Sequence, residues 1–228
     1  MTKKRKPWTD YLWALAISSG VSIILYVYAA LRNDSSAFNY LVWNLILAWI
    51  PLLLAIRLSM VLADKLWSSW EAMLTSVLWL FFLPNSFYMI TDYIHLQEVV
   101  RFDLLYDTLM FTSFIFTGVV LGFTSLVLVH AQLRKRFTNR TSSLSIGFIL
   151  LLCSFGIYIG RDLRWNSWDV LTNPGGLLFD ITDRLSNISA YPQMILTVTT
   201  FTVLLISLYR LLWYGAGLAR NFDIKNIS

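Results

Sequence analysis

The sequence predicts an all-α integral membrane protein with about six transmembrane helices and an interfacial helix in the last outer loop. Its 228 residues have a mean hydropathy of +0.62, and 57% of them are apolar while only 14% are charged. They also contain six apolar stretches long enough to cross a bilayer, which takes about 20 residues per helix. Little of the chain remains for a soluble domain, so we expect one multi-pass domain over residues 1–228.

The six apolar stretches cover approximately residues 11–31, 38–62, 71–91, 108–130, 143–160 and 193–214. Helices surrounded by lipid show little amphipathic periodicity, so length and the lack of charge define them. The first stretch follows the basic run at 3–6, as in a secretory signal, but it is longer than a signal core, and we expect a retained helix. The third contains Pro84, which disfavours helix at Leu83, so we expect a kink or break there.

The basic residues predict the orientation. With six spans, 13 of the 18 Lys and Arg residues lie on one side, which the positive-inside tendency makes cytoplasmic together with both termini. Nine of the 13 Asp and Glu residues lie on the other side, although acidic residues contribute little to orientation. Two outer loops are long, at roughly 92–107 and 161–192, and loops of this length in a small protein usually carry function.

Composition also excludes several classes of protein and site. The basic residues lie in short clusters beside the spans, so we expect no nucleic-acid partner. Cys153 is the single cysteine, which excludes an intramolecular disulfide and a cysteine-built metal site. The chain has no phosphate-cradling glycine loop, serine elbow or zinc-protease motif.

The first candidate site segment covers residues 83–96. If it is α-helical after the proline, four hydrogen-bonding side chains share one face: Asn85, Tyr88, Asp92 and His95. A carboxylate three residues before an imidazole can orient the ring and raise its basicity, as a general base or a metal ligand requires. The alternative is a helix end at the membrane surface whose polar residues are merely solvated.

Two more carboxyl groups lie one helical turn apart at the start of the fourth span. The negative charge of Asp103 is favourable at a helix N-terminus, which is enough to explain this residue. Asp107 adjoins the apolar stretch and is the better site candidate. We predict catalytic roles for Asp92, His95 and Asp107, and substrate binding by Asn85 and Tyr88.

The second candidate segment covers residues 160–174. Arg161 and Arg164 could hold a phosphate or carboxylate, and they contradict the positive-inside tendency. The alternatives are arginines that reach lipid headgroups beside interfacial tryptophans, or ion pairs with Asp92, Asp107 or Asp169. We predict that four residues here bind substrate: Arg161, Arg164, Asn166 and Asp169.

A short amphipathic helix is predicted after the turn that begins at Asn173. Apolar residues recur at helical spacing opposite charged ones, namely Leu178, Ile181, Leu185 and Ile188 opposite Asp180, Asp183 and Arg184. We expect this helix to lie on the outer leaflet, where it could cover the polar cluster. A metal site there would have one imidazole plus Asp ligands, since His130 belongs to the cytoplasmic side. A hard divalent cation is therefore a more plausible cofactor than zinc.

The two segments also carry a family resemblance. It is carried by residues 82–85 (Phe-Leu-Pro-Asn) through Tyr88, Thr91-Asp92, His95-Leu96, Tyr106-Asp107 and the 160–174 stretch with its Arg-Trp-Asn-Ser-Trp-Asp string. Together these residues resemble the bacterial membrane family called domain of unknown function 1361. The family typically has Asn-Ala-Pro-Tyr where this chain has Asn85-Ser86-Phe87-Tyr88. The resemblance extends over most of the chain and implies a multi-pass protein of the bacterial plasma membrane. It supplies no catalytic residues.

Three functions fit these observations. The first is an outward-facing site that binds or acts on a lipid or lipid-linked anionic substrate. Asp92 and His95 would form the acid–base pair there, while Asp107 and Asp169 would orient groups or bind a cation, and the two arginines would hold the anion. The second is a transporter or transporter subunit, suggested by a helix break at Pro84, although the spans hold almost no ionisable residues near mid-membrane. The third is a non-enzymatic accessory protein that binds a partner within the membrane.

Overall fold

The computed structural model describes residues 7–33, 38–97, 104–165 and 169–221. Every regular element within them is helical, and six helices are long and apolar enough to cross a membrane. The helices are α1 (Pro7–Asn33), α2 (Asn39–Asp64), α3 (Trp70–Tyr88), α4 (Leu104–Arg134), α5 (Asn139–Asp162), α6 (Asp169–Thr172), α7 (Pro174–Ser186) and α8 (Pro192–Asn221), with 3-10 segments at Met89–Gln97 and Ile188–Ala190. The predicted all-α membrane fold is confirmed, and α7 is the short helix expected in the last outer loop.

Local capping explains where several helices begin. The Ser69 side chain accepts a hydrogen bond from the Ala72 amide at the start of α3, and Thr138 accepts one from Thr141 at the start of α5. At α7 the Asn173 side chain accepts from the Gly176 amide, and Pro174 occupies the first turn, where its missing amide hydrogen is not needed.

The chain falls into two compact units, Met1–Val129 and His130–Ser228, which we call unit 1 and unit 2. In unit 1, α2 packs against α3. It also has a row of buried residues spaced three and four apart, namely Leu41, Leu45, Ala48, Leu52, Ala55 and Leu58, the first four of which belong to a core shared with α1 and α4. In unit 2, α5 packs against α8, and Cys153 is buried in α5. The expectation of a single domain stays a prediction.

Of the expected kink or break at Pro84, the break is wrong, because α3 continues through this residue to Tyr88, while the kink stays a prediction. Proline is tolerated inside packed membrane helices, where neighbouring groups satisfy the carbonyl that it leaves without a donor. The carbonyl that Pro84 leaves without a backbone donor is that of Leu80, four residues earlier. The Asn85 side chain, beside the proline, donates to a different carbonyl, that of Phe82, at 3.0 Å. The α-helix gives way to the 3-10 segment only at Met89.

Hydroxyl groups within the spans find partners at short range. In α4, Thr108, Thr112, Thr117 and Thr124 each donate to the carbonyl four residues earlier, at 2.7 to 2.8 Å. Buried indoles of unit 1 also bond hydroxyls: the Trp79 indole donates to Ser125 at 2.6 Å, and Ser125 donates to the Pro51 carbonyl. These bonds let polar side chains lie in the apolar interior at little cost.

Candidate functional site

Asp92 is the most deeply buried carboxyl group among the described residues, with 2% of its surface exposed. It lies in the 3-10 segment that follows α3, at the end of unit 1 where α2 begins. The Asn44 side-chain amide of α2 donates to its Oδ2 at 3.0 Å. The sequence singled out Asp92, but it gave no sign of Asn44, which is 48 residues away.

The helix type changes how the four predicted polar residues of this segment are arranged. Asn85 and Tyr88 belong to α3 and are half-buried, whereas Asp92 and His95 belong to the 3-10 segment. The predicted common face assumed one continuous α-helix, and that assumption is wrong. In a 3-10 helix, residues three apart eclipse one another, so Asp92 and His95 are aligned along the segment.

The His95 ring is half-buried and lies edge-on to the Tyr40 ring of α2, with 5.1 Å between the ring centroids. Like Asn44, Tyr40 belongs to the first turns of α2, so α2 supplies a neighbour to both predicted catalytic residues of the 3-10 segment.

Asp107 lies in the first turn of α4 and is 7% exposed. A hydrogen bond of 2.9 Å between the Tyr93 and Thr112 hydroxyls sets α4 beside the 3-10 segment. Asn44, Asp92, His95 and Asp107 all belong to unit 1, and we call these four residues the unit 1 cluster.

Unit 2 holds the other predicted site residues. Arg161 is half-buried in the last turn of α5, where a positive charge also suits the helix end. Arg164 has φ of 60°, in the left-handed region that ordinary side chains avoid. Asp169 begins α6 and accepts a hydrogen bond from the Thr172 hydroxyl at 3.2 Å. Asn166 lies outside the described residues.

A charged network on α7 was missed by the sequence reasoning, which predicted only an amphipathic helix with Asp180, Asp183 and Arg184 opposite its apolar face. The Arg184 guanidinium bonds the Asp180 carbonyl at 3.2 Å and its carboxylate at 3.3 Å, and it lies 5.0 Å from the centre of the Tyr191 ring. The Trp165 indole donates to Asp180 at 2.7 Å. The spacing of Asp180 and Arg184 by four residues is the signal that could have found this pair.

Asp183 belongs to the same network and connects α7 with the start of α8. Its carboxyl group accepts hydrogen bonds from the Tyr191 hydroxyl and the Asn187 amide. These two bonds, in that order, lower the pKa of the Asp183 carboxyl below its ordinary value, because they favour the charged form. The network therefore links the 160–174 segment, α7 and α8 within unit 2.

Metal binding has little geometric support. Within the four described ranges, no group of three or more His, Cys, Asp or Glu side chains is placed to hold a metal ion. The divalent cation stays a prediction.

The comparisons with known proteins give one match. A family model described as "Protein of unknown function (DUF1361)" matches residues 43–208. Neither the curated proteins nor the solved structures give a match. The matched range includes both predicted site segments and every residue of the unit 1 cluster.

Proposed function

The chain belongs to the DUF1361 family, and we propose that it carries an acid–base site at the predicted outer end of unit 1. The substrate would be a lipid or a lipid-linked anion of the outer leaflet. The protein would lie in a bacterial plasma membrane with both termini in the cytoplasm, as its basic residues indicate.

The burial of Asp92 is the observation that carries the proposal. A carboxylate with 2% exposure next to lipid is costly to maintain and is rare in membrane helices without a function. The Asn44 amide donates to its Oδ2 at 3.0 Å and fixes the orientation of the carboxyl group. A fixed carboxylate aligned with an imidazole one 3-10 turn later can orient that ring for proton transfer.

Within the unit 1 cluster we assign roles by position. We assign proton transfer to His95, because its half-buried ring is accessible to a substrate. We assign the orientation of the imidazole to Asp92, which is buried. Asp107 serves as a second carboxylate that positions the substrate or binds a cation. A solvated helix end does not account for Asp92 and Asp107, since both are buried.

The surroundings of the cluster favour a lipid substrate. Tyr93 and Ile94 are exposed on the 3-10 segment, and Leu104 and Leu105 are exposed at the start of α4. Exposed apolar side chains at the end of a membrane span face acyl chains or the interface. A substrate with a lipid tail can therefore reach the cluster along this surface.

In unit 2, Arg161 and Arg164 are proposed anion ligands, and Asp169 a group that orients or binds a cation. The left-handed backbone of Arg164 supports a role for this residue, because non-glycine residues persist in that conformation mainly where the fold or a function requires it. The transporter alternative relied on a break at Pro84, and the continuity of α3 removes that support.

The test is to trap the substrate on an inactive protein. The full chain, Asp92→Asn and His95→Ala would be purified from cells that contain the native lipids, and their bound lipids would be compared by mass spectrometry. We expect one anionic lipid species to accumulate on the variants, because loss of an acid–base step slows turnover by about 10²- to 10⁴-fold. Ser76→Ala is the control, since it removes one hydroxyl of α3 that donates to the Ala72 carbonyl of its own helix, outside the cluster.

Complementation gives an independent result. In a strain that lacks the gene, we expect Asp92→Asn and His95→Ala to fail to restore the lost phenotype, whereas Ser76→Ala restores it. Full complementation by both variants, with unchanged bound lipids, would refute the acid–base site.

A further inference from the structure

The end of unit 2 away from Arg161 and Arg164 has an unbalanced positive charge. It consists of the end of α4, the start of α5 and the last turns of α8, which meet through contacts of Arg134 with Asn139 and Trp213. In residues 130–145 and 205–217, all of them described, five side chains are basic and none is acidic. We call the five the basic end: Arg134, Lys135, Arg136, Arg140 and Arg210. Nothing of opposite sign in these ranges neutralises it.

Arg134 is held in a fixed position although it is exposed. Its Nε donates to the Asn139 side-chain oxygen at 3.0 Å, and its guanidinium carbon lies 5.6 Å from the centre of the Trp213 ring. The other N–H groups of a guanidinium form a planar fork that matches a phosphate oxygen pair. An exposed arginine with its orientation already set binds such an anion at a lower entropic cost.

The start of α5 departs from the usual charge pattern of a helix. Negative side chains are favoured in the first turn, yet α5 has no acidic residue there and has Arg140 as its second residue. Arg140 is exposed, as is Asn139 beside Arg134. A bound anion would remove the unfavourable charge at this position.

Two buried polar atoms at the same end lack a hydrogen-bond partner among the described residues, namely His130 Nε2 and Ser142 Oγ. His130 is 3% exposed and Ser142 is fully buried. At about 1.5 Å per residue, His130 lies about 6 Å from Arg134 along α4, and Ser142 lies about 4.5 Å from Asn139 along α5. Buried polar groups without partners are costly, so this end is not optimised as a closed protein surface.

Apolar and aromatic residues surround the basic end. Phe137, Leu144, Leu211 and Tyr214 are exposed there, beside Trp213. Aromatic residues next to basic ones at the end of a span are typical of the headgroup region of a bilayer. The anion that meets this surface in place is therefore the phosphate of a lipid.

We propose that the basic end of unit 2 binds the headgroup of an anionic phospholipid, with Arg134 and Arg140 as its phosphate ligands. This site is independent of the proposed function of unit 1, because its residues all belong to unit 2. The positive-inside tendency accounts for the number of basic residues here. It does not account for a guanidinium fixed by Asn139 and Trp213.

The test measures lipid binding by the full chain in detergent. Phosphatidylglycerol, phosphatidylcholine or soluble glycerol phosphate would be titrated, and the thermal unfolding midpoint followed by circular dichroism. We expect phosphatidylglycerol alone to raise the midpoint. Arg134→Gln should raise the phosphatidylglycerol concentration needed for half-saturation about fivefold or more, which is the effect of one basic residue near an anionic surface. Arg134→Lys keeps the charge but loses the planar guanidinium fork, and it should raise the same half-saturating concentration at least about threefold.

Arg57→Gln is the control, since Arg57 is exposed on the same predicted side in unit 1. Arg140→Gln is the second variant, should Arg134→Gln not fold, and we expect about the same fivefold effect. The proposal is overturned if Arg134→Lys binds like the unchanged protein and the glutamine variants resemble Arg57→Gln. Equal stabilisation by glycerol phosphate would overturn the lipid assignment. A change in oligomeric mass without a change in lipid response would make the basic end a contact between protein copies.

Discussion

Gly122 of α4 lies against two buried residues of α3. A Cβ added at this glycine would lie 2.7 Å from the Ser86 Cβ and 3.0 Å from the Phe87 ring. Neither neighbour can retreat easily, because Ser86 is fully buried and donates to the Ala48 carbonyl at 3.2 Å, while Phe87 is fully buried against Phe123. Alanine at this position must therefore push α3 and α4 apart.

The magnitude follows from two opposing effects. Overpacking a filled interior costs about 1 to 3 kcal/mol. Alanine in place of glycine inside a helix gains about 0.5 to 1 kcal/mol. We expect Gly122→Ala to lower the free energy of unfolding by about 0 to 2.5 kcal/mol.

Two other glycines provide matched substitutions. Gly147 of α5 has no atom within 4 Å of its added Cβ, so Gly147→Ala should raise the free energy of unfolding by about 0.5 to 1 kcal/mol. Gly118 meets the flexible end of the Met89 side chain, so Gly118→Ala should have an intermediate effect. It should also displace the 3-10 segment that begins at Met89, with Asp92 three residues later.

The assay is reversible unfolding of the purified protein in mixed detergent micelles, followed by circular dichroism. The expected order of stability is Gly122→Ala, then Gly118→Ala, then Gly147→Ala as the most stable. If Gly122→Ala were as stable as Gly147→Ala, the close approach of α3 and α4 would be wrong.

Three further predictions concern the two candidate segments. Asn44→Ala removes a donor to the buried Asp92 carboxylate and should cost about 1.5 to 3 kcal/mol in the same unfolding assay; a neutral effect would contradict the bond. Arg164→Gly should gain about 0.5 to 1 kcal/mol over Arg164→Ala, because glycine relieves the positive φ; equal stability would contradict the strain. The lowered pKa of Asp183 means that its contribution to stability is present above the ordinary aspartate pKa, about 4, and is lost as the pH falls through the lower folded pKa. The unfolding midpoint should therefore fall on acidification below about pH 4, and fall less in Tyr191→Phe; an equal fall in both proteins would contradict the role of that bond.

The spans and α7 could be predicted because each depends on a pattern within one stretch of sequence. Bilayer thickness sets the length of a spanning helix, and an apolar stretch of that length is visible without knowing its neighbours. The predicted fourth span, 108–130, is shorter than α4 at Leu104–Arg134, since the helix continues past its apolar part. Asp92, His95 and Asp107 were also found locally, as polar residues at the ends of apolar stretches.

The rest depends on contacts between distant segments. Asn44 reaches Asp92 only because α2 packs on the 3-10 segment, and no local pattern marks that pairing. The change to a 3-10 helix follows Pro84 by several residues and occurs at Met89, which packs against Gly118 of α4. The bond between Trp165 and Asp180 likewise depends on how the chain turns between α5 and α7.

The threonines of α4 bear on how the protein is made. Each of the four donates its hydroxyl to a carbonyl of its own helix, so these groups need no other helix to satisfy them. A nascent α4 can therefore leave the translocation machinery for the lipid before α5 and α8 are synthesised. Asp92 depends instead on Asn44, which is translated earlier, so its partner is already in the membrane when it arrives.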